Sequence, residues 1–169
     1  MADKDKVIVG LTSEIINVQQ QMEDVSDPGC GAISSFLGVT RNNFNGKVVL
    51  LLEYECYETM ALKKMKEIGH QALEKWEGIH KISIIHRLGK VPVKEASISI
   101  VVSSPHRLES LEAVHWLIDE LKAVVPIWKK EHYEDGTQWK ENTEWIGKGR
   151  KKACCSHDRS PVSPPSSSQ

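Results

Sequence analysis

Three lysines surround a short apolar segment in KAVVPIWKKE, residues 122–131, although the whole chain of 169 residues has a net charge of only −1. Lys122 ends a row at helical spacing that comprises Leu108, Leu111, His115, Ile118 and Lys122. Desolvation on such a face lowers the pKa of a lysine, which suits it to proton transfer or nucleophilic attack near neutral pH. The alternative is that Lys122 reaches water from the helix end and complements the helix dipole.

The residues after Lys122 predict a change from helix to extended chain, because Pro126 cannot continue a helix. Alternation then separates two sets of side chains: Ile127, Lys129 and Glu131 on one side, and Trp128 and Lys130 on the other. An apolar anchor would thus hold the segment while Lys129 points into a site with an acid beside it. The alternative is an exposed edge strand whose lysines discourage pairing with another sheet.

A second candidate site is the SSPHR stretch at residues 103–107. Ser104 suits the N-cap of a helix and Pro105 its first position, so His106 and Arg107 are predicted in the first turn. Unpaired N–H groups and the positive end of the helix dipole would make this turn a seat for phosphate or carboxylate. The alternative is a solvent-facing turn without a ligand.

Strand and helix patterns alternate along the chain and must position these residues. Residues 31–57 predict two strands joined at NFNG, residues 43–46, as a hairpin. Residues 59–76 predict a helix that packs on a sheet, because apolar or small residues recur near every 3.6 positions. KISIIH and ASISIVVS, residues 81–86 and 96–103, predict two further strands, with Gly89 and Pro92 marking the turn between them.

Length and composition predict one soluble domain. Hydrophobic residues make up 40% of the chain, and no apolar run approaches the roughly 20 residues that a membrane helix needs. The first residues carry too few apolar side chains for a secretory signal, which favours the cytosol or nucleus. Cys30, Cys56, Cys154 and Cys155 show no CxxC pair, so we predict free thiols.

The last stretch, residues 146–169, is rich in serine and proline and predicts a disordered tail beyond a domain of residues 1–145. The tail holds five basic residues and one aspartate, so it carries +4 and the domain carries −5. An acidic domain disfavours a broad nucleic-acid surface.

Five strings in order resemble the large, catalytic subunit of molybdopterin synthase. They are FLGVTR at residues 36–41, LEYECY at 52–57 with Met60–Ala61 after it, HRLG at 86–89, SPHR at 104–107 and LKAVVPIWKKE at 121–131. The resemblance covers residues 30–140. It implies an α+β fold, an α/β hammerhead-type domain with an additional small antiparallel sheet.

The resemblance also implies a reaction and its partners. Such an enzyme converts cyclic pyranopterin monophosphate, precursor Z, into molybdopterin by adding two dithiolene sulfurs. The sulfurs come from the C-terminal thiocarboxylate of a small ubiquitin-like subunit, one at each end of a homodimer of large subunits. Under the resemblance none of the cysteines is needed as a sulfur carrier. We expect no metal or cofactor, and from composition and charge we expect a cytosolic protein with no nucleic-acid or membrane partner.

The family's site residues fall on matching positions of this sequence. The implied substrate-binding residues are Arg41, His106, Arg107, Lys122, Lys129, Lys130 and Glu131, and Lys122 and Lys129 are also implied to be catalytic. Attack on a thiocarboxylate-derived centre and opening of a cyclic phosphate both develop negative charge, which lysines stabilise or protonate. Lys140 is a possible contributor across the dimer, and the pair His86–Arg87 either takes part in chemistry or pins a turn.

Two other classes of function compete with this enzyme. A non-catalytic adaptor would use the same basic cluster to bind a ubiquitin-like tail or a phosphorylated ligand, but it would not need Lys122 on a buried row. An RNA-binding module is disfavoured by the acidic domain and by strands without an aromatic pattern for base stacking.

Overall fold

Residues 6–140 are described by a computed structural model. They contain three helices and nine strands, and the strands form two sheets. The elements are β1 (Val7–Thr12), α1 (Val18–Val25), β2 (Ala32–Val39), β3 (Asn43–Phe44), β4 (Lys47–Cys56), α2 (Glu58–Lys75), β5 (Lys81–Arg87), β6 (Gly89–Pro92), β7 (Ala96–Ser104), α3 (Arg107–Val124), β8 (Ile127–Tyr133) and β9 (Gly136–Lys140).

The first sheet has the strand order β1-β5-β7-β2, with β1 parallel to β5 and the other pairs antiparallel. Helices α2 and α3 cover one face, where Met65 and Leu117 pack against Ile82 and Ile100. Helix α1 covers the other face, since its Gln21 donates a hydrogen bond to Ser83, which alternates with Ile82 on β5. Strand β7 is therefore buried on both faces, serines included.

The second sheet is antiparallel and is built around β4, which pairs with β3, β6 and β8, while β9 pairs with β8. The predicted α+β class with an additional antiparallel sheet is confirmed. Among residues 6–140, no helix is long and apolar enough to cross a membrane.

The helix predicted over residues 59–76 is confirmed by α2, which buries Ala61, Met65 and Ile68. This helix approaches β1 so closely that a Cβ on Gly69 would lie 2.4 Å from Cγ1 of Val7. Only glycine fits that contact without a shift of the helix or the strand.

The predicted hairpin over residues 31–57 is wrong. Strand β2 pairs with β7 in the first sheet, whereas β4 belongs to the second. The turn does form at Asn45 and Gly46, whose φ angles are 49° and 79°, but it joins β4 to the short strand β3. Phe36 packs against the core from β2, and this long-range packing, with the pairing of β2 and β7, outweighs the local turn signal.

Gly89 and Pro92 do not mark a turn either, because both belong to β6, which pairs with β4. The chain reverses direction between β6 and β7, at Lys94. Lys94 takes a positive φ of 73°, and its N–H donates to the carbonyl oxygen of Thr40 at 2.9 Å.

Two expectations for α3 are also wrong. The helix begins at Arg107 with His106 as its N-cap, and Ser104 instead ends β7, paired with Ala32. The row from Leu108 to Lys122 is not a buried face: Leu108 is 61% exposed and Leu111 is 56% exposed. The buried face comprises Ser110, Ala113, Val114, Leu117, Ile118 and Leu121, so Ile118 is the member of the row that lies on it. Of the predicted domain, residues 1–5 and 141–145 lie outside the described residues, as do the predicted tail and Cys154 and Cys155.

Candidate active site

A cavity of about 470 Å³ opens where the end of α3 meets β2, β4 and β8. Apolar walls come from residues such as Phe36, Leu52 and Ile118. Its volume falls in the range of small-molecule sites, roughly 300–1,000 Å³. The junction of the two sheets therefore provides a concave and mostly apolar site.

Four of the predicted site residues line this cavity: Arg41, Lys122, Lys129 and Glu131. They come from three separate parts of the chain. Arg41 follows β2, Lys122 lies in the last turn of α3, and the other two lie on β8. The structure thus brings three basic groups and one acid to the same walls.

The alternation predicted after Pro126 is confirmed by β8. Ile127, Lys129 and Glu131 line the cavity, whereas Trp128, which is 43% exposed, and Lys130 do not. Pairing of β8 with β4 on one side and β9 on the other holds the backbone extended. Successive side chains then point to opposite faces of the sheet.

Glu131 is a buried acid, 3% exposed, inside this basic site. Its Oε1 lies 3.5 Å from Nζ of Lys129, and its Oε2 accepts a hydrogen bond from the hydroxyl of Tyr133. A buried carboxylate is tolerated when it is paired and hydrogen-bonded. Glu131 can therefore hold Lys129 in a set position on the cavity wall.

His86 lines the same cavity and is only 4% exposed. Burial lowers the pKa of its imidazole to about 4, so the ring is neutral near pH 7. Nδ1 lies 2.8 Å from the carbonyl oxygen of Arg87, to which it donates, which leaves Nε2 as an acceptor. The sequence left a chemical role for His86 open, and only the structure places it at the cavity.

Tyr54 is a cavity residue that sequence reasoning missed. Its ring meets that of His86 edge-on, with centroids 5.0 Å apart. Burial raises the pKa of the phenol, and the negative charge of Glu131 raises it further against a hydrogen bond with Ser97. Tyr54 therefore keeps its proton as a hydrogen-bond donor. The signal that could have found it is its place in the LEYECY string.

Arg87 has a structural partner. Its guanidinium pairs with the carboxylate of Glu95, which ties the end of β5 to the turn before β7. The interpretation that this residue pins the turn is supported for Arg87. His86 and Arg87, adjacent in sequence, therefore have different surroundings.

Three predicted residues lie away from the cavity. His106 and Arg107 are exposed at the start of α3, while Lys122 lies near its end. An 18-residue helix spans about 27 Å, so one chain does not bring these two ends to the same small molecule. Lys130 faces away from the cavity on β8. The side chain of Lys140 lies outside the described part, although its backbone pairs with Lys129.

Comparison with known proteins gives one family and several relatives. Residues 11–124 match the family described as MoaE protein. The chain is 57% identical over 137 residues to molybdopterin synthase catalytic subunit 1 of Aedes aegypti, covering 79% of this chain and 88% of the relative. It is 52% identical over 142 residues to the molybdopterin synthase catalytic subunit of Homo sapiens, covering 84% and 75%.

Solved structures share the fold. A molybdopterin synthase structure from Staphylococcus aureus has a TM-score of 0.73 and 36% identity, covering 83% of this chain and 99% of that one. A protein–protein complex of subunits 1 and 2 of the molybdopterin-converting factor from Helicobacter pylori contains a chain with a TM-score of 0.62 and 22% identity, covering 79% and 88%.

Proposed function

The chain belongs to the MoaE family of molybdopterin synthase catalytic subunits, and from that premise we propose that the cavity beside Lys122 and Lys129 binds precursor Z and carries out the sulfur transfer. As a member, it is an enzyme of molybdenum cofactor biosynthesis. The proposed sulfur donor is the C-terminal thiocarboxylate of a small ubiquitin-like subunit, which reaches the cavity as an extended tail. The cytosol is our prediction for the compartment.

The convergence of Arg41, Lys122 and Lys129 on one cavity supports this proposal. The substrate carries a cyclic phosphate and the donor ends in a thiocarboxylate, so both reactants are anions. Cationic side chains on otherwise apolar walls act in a low local dielectric, where they stabilise anions more strongly than in water. An adaptor would need binding contacts, but not two lysines held at the same cavity from separate elements.

We assign the lysines to the charge that develops during the reaction. Opening of the cyclic phosphate leaves negative charge on the released oxygen, and attack on the thiocarboxylate-derived centre leaves negative charge there. Lys122 and Lys129 stabilise these charges or donate a proton to them. Glu131 positions Lys129, and Arg41 binds phosphate with a charge-assisted hydrogen bond.

We propose that His106 and Arg107 contribute to the cavity of a second copy of the chain in a homodimer. Both are exposed at the far end of α3, and the neighbouring Leu108 and Leu111 form an exposed apolar patch of the kind found at subunit contacts. In a symmetric dimer whose two α3 helices pack antiparallel, the start of α3 of one chain lies beside the end of α3, and therefore the cavity, of the other. Two chains would then complete each site.

Reconstitution with purified components tests the function. The full chain, precursor Z and a small subunit with a C-terminal thiocarboxylate should form a dithiolene-containing pterin. The matched control is the same small subunit with an ordinary carboxylate, which should give no product. Equal product without the thiocarboxylated partner would exclude it as the sulfur donor. No product with all components would exclude the proposed reaction.

A further inference from the structure

Asp27, Cys30 and His80 form a compact cluster of metal-binding side chains, and none of them lines the cavity. One ligand atom from each residue lies within 4.8 Å of the other two. His80 Nε2 is 3.0 Å from Asp27 Oδ2. We propose that these three residues bind a divalent transition-metal ion of the Zn²⁺ class.

The donor set is suited to such an ion. Zn²⁺ is bound by thiolate, imidazole and carboxylate at about 2.3, 2.0–2.1 and 2.0–2.2 Å, in tetrahedral geometry. The thiolate and imidazole disfavour Mg²⁺ and Ca²⁺, which take oxygen ligands. All three residues are partly exposed, so an ion can enter and a water molecule can occupy the fourth position.

The loop that carries Asp27 and Cys30 is held in a tight turn. The N–H of Gly29 donates to Oδ1 of Asp27 at 2.8 Å, which turns Oδ2 towards His80. The N–H of Cys30 donates to the carbonyl oxygen of Asp27 at 3.0 Å. Hydrogen bonds of this kind hold the ligand atoms of a metal site in position.

Both ligand-bearing segments are anchored at the end of β7. The N–H of His80 donates to the carbonyl oxygen of Ser103 at 2.8 Å, and that of Gly31 donates to Pro105 at 3.3 Å. A Cβ on Gly31 would lie 2.7 Å from the carbonyl oxygen of Pro105, so this approach requires glycine. A metal would therefore join two loops that are already held together, which limits the entropy lost on binding.

Cobalt titration of the full chain tests the site, with Co²⁺ as a spectroscopic probe for Zn²⁺. We expect one equivalent to bind with thiolate-to-cobalt charge-transfer absorption, and Zn²⁺ to displace it. Cys30→Ser should abolish this absorption, and His80→Gln and Asp27→Asn should each weaken binding at least about 10-fold. The absence of thiolate-bound cobalt at micromolar concentration would mean that the three residues do not bind a metal, and would overturn the proposal.

The other cysteines supply the matched controls. Cys56→Ser and the double variant Cys154→Ser/Cys155→Ser should keep the charge-transfer absorption. Its loss in the double variant, or its survival in Cys30→Ser, would place the metal elsewhere and overturn the proposal.

A measurement on the unmodified chain removes any dependence on the folding of variants. Bound Zn²⁺ should slow alkylation of Cys30, followed by peptide mass spectrometry, at least about 10-fold because the metal-bound thiolate is no longer a free nucleophile. An unchanged rate at Cys30 under saturating Zn²⁺ would contradict the site.

Discussion

Nζ of Lys129 lies 3.5 Å from Oε1 of Glu131, on the same face of β8. The carboxylate is buried and its other oxygen is bound by Tyr133, so the acid is the fixed member of the pair and the lysine is the member that it orients. This relationship connects the packing of the second sheet to the proposed chemistry, because it sets where a positive charge stands on the cavity wall.

Glu131→Gln should lower single-turnover sulfur transfer by up to about 100-fold, because a misplaced catalytic group can cost that much. Glutamine keeps the shape and still accepts from Tyr133, so the variant should remain folded. The matched control is Glu67→Gln, which breaks the exposed Lys64–Glu67 pair of 2.7 Å and should alter stability by less than about 1 kcal/mol. Wild-type turnover in Glu131→Gln would make Glu131 a structural residue only.

Lys122→Ala and Lys129→Ala should each lose about 10²- to 10⁴-fold in turnover, the usual contribution of a proton-transfer group. Lys130→Ala should lose far less, because Lys130 does not line the cavity. All three should bind the small subunit in a pull-down assay. Equal damage in the Lys129 and Lys130 variants would contradict the assigned faces of β8.

Lys122→Arg should not restore turnover, because arginine does not give up a proton near neutral pH and its planar head is bulkier. Single-turnover assays with saturating small subunit measure this directly. Full activity would show that positive charge alone is needed at this position.

Arg41→Ala should weaken binding of precursor Z by roughly one to two decades, because a charge-assisted hydrogen bond contributes about 1.5–3 kcal/mol. Isothermal titration gives the affinity, and denaturant unfolding gives the stability. Arg87→Ala is the matched control: it breaks the pair with Glu95 and should reduce stability with less effect on affinity. An Arg41 variant that unfolds, with normal affinity in its folded fraction, would disprove the binding role.

Mixing Lys122→Ala with Arg107→Ala tests whether two chains complete each site. If Arg107 acts in the cavity of the other chain, a mixed dimer has one intact site, and statistical mixing recovers about a quarter of wild-type turnover. Each variant alone should stay nearly inactive. No recovery in a mixture that is shown to contain mixed dimers would contradict a site shared across the dimer.

His86 should make stability depend on pH. Its pKa is about 4 when folded and about 6.5 when unfolded, so between these values only the unfolded chain takes up the proton. The contribution of His86 to the free energy of unfolding is fully present above pH 6.5. It falls by on the order of 3 kcal/mol as the pH drops to about 4. His86→Gln should flatten that slope in guanidinium unfolding, whereas His115→Gln, on an exposed residue, should not. Parallel curves for wild type and His86→Gln would refute this origin.

Local periodicity was enough to predict several elements and which side chains of β8 share a face. Helix α2 and the two faces of β8 follow from the spacing of apolar residues, and the turn at Asn45 and Gly46 follows from residues that tolerate positive φ. These features depend on neighbours within a few positions, which the sequence shows directly. The family strings then identified Arg41, Lys122, Lys129 and Glu131 as candidates, and all four meet at one cavity.

Pairing between distant segments was decided only by the tertiary structure. Strand β2 leaves the predicted hairpin for β7, and β7 runs on to Ser104, which removes that residue from the start of α3. The choice depends on which arrangement packs Phe36 against the core and pairs the most backbone groups, and these contributions add up over the whole domain. Local secondary-structure propensity is weak compared with the packing and pairing of the whole domain.

By itself, the sequence determined the residue types available for chemistry, the local elements that carry them and the family strings. Only the folded chain decided that His86 and Tyr54 share the cavity with Glu131, that Arg107 stands about 23 Å from Lys122 along α3, and that Asp27, Cys30 and His80 meet. The reason is physical: these neighbours are brought together by sheet pairing and core burial across tens of residues, and no short-range spacing records such contacts.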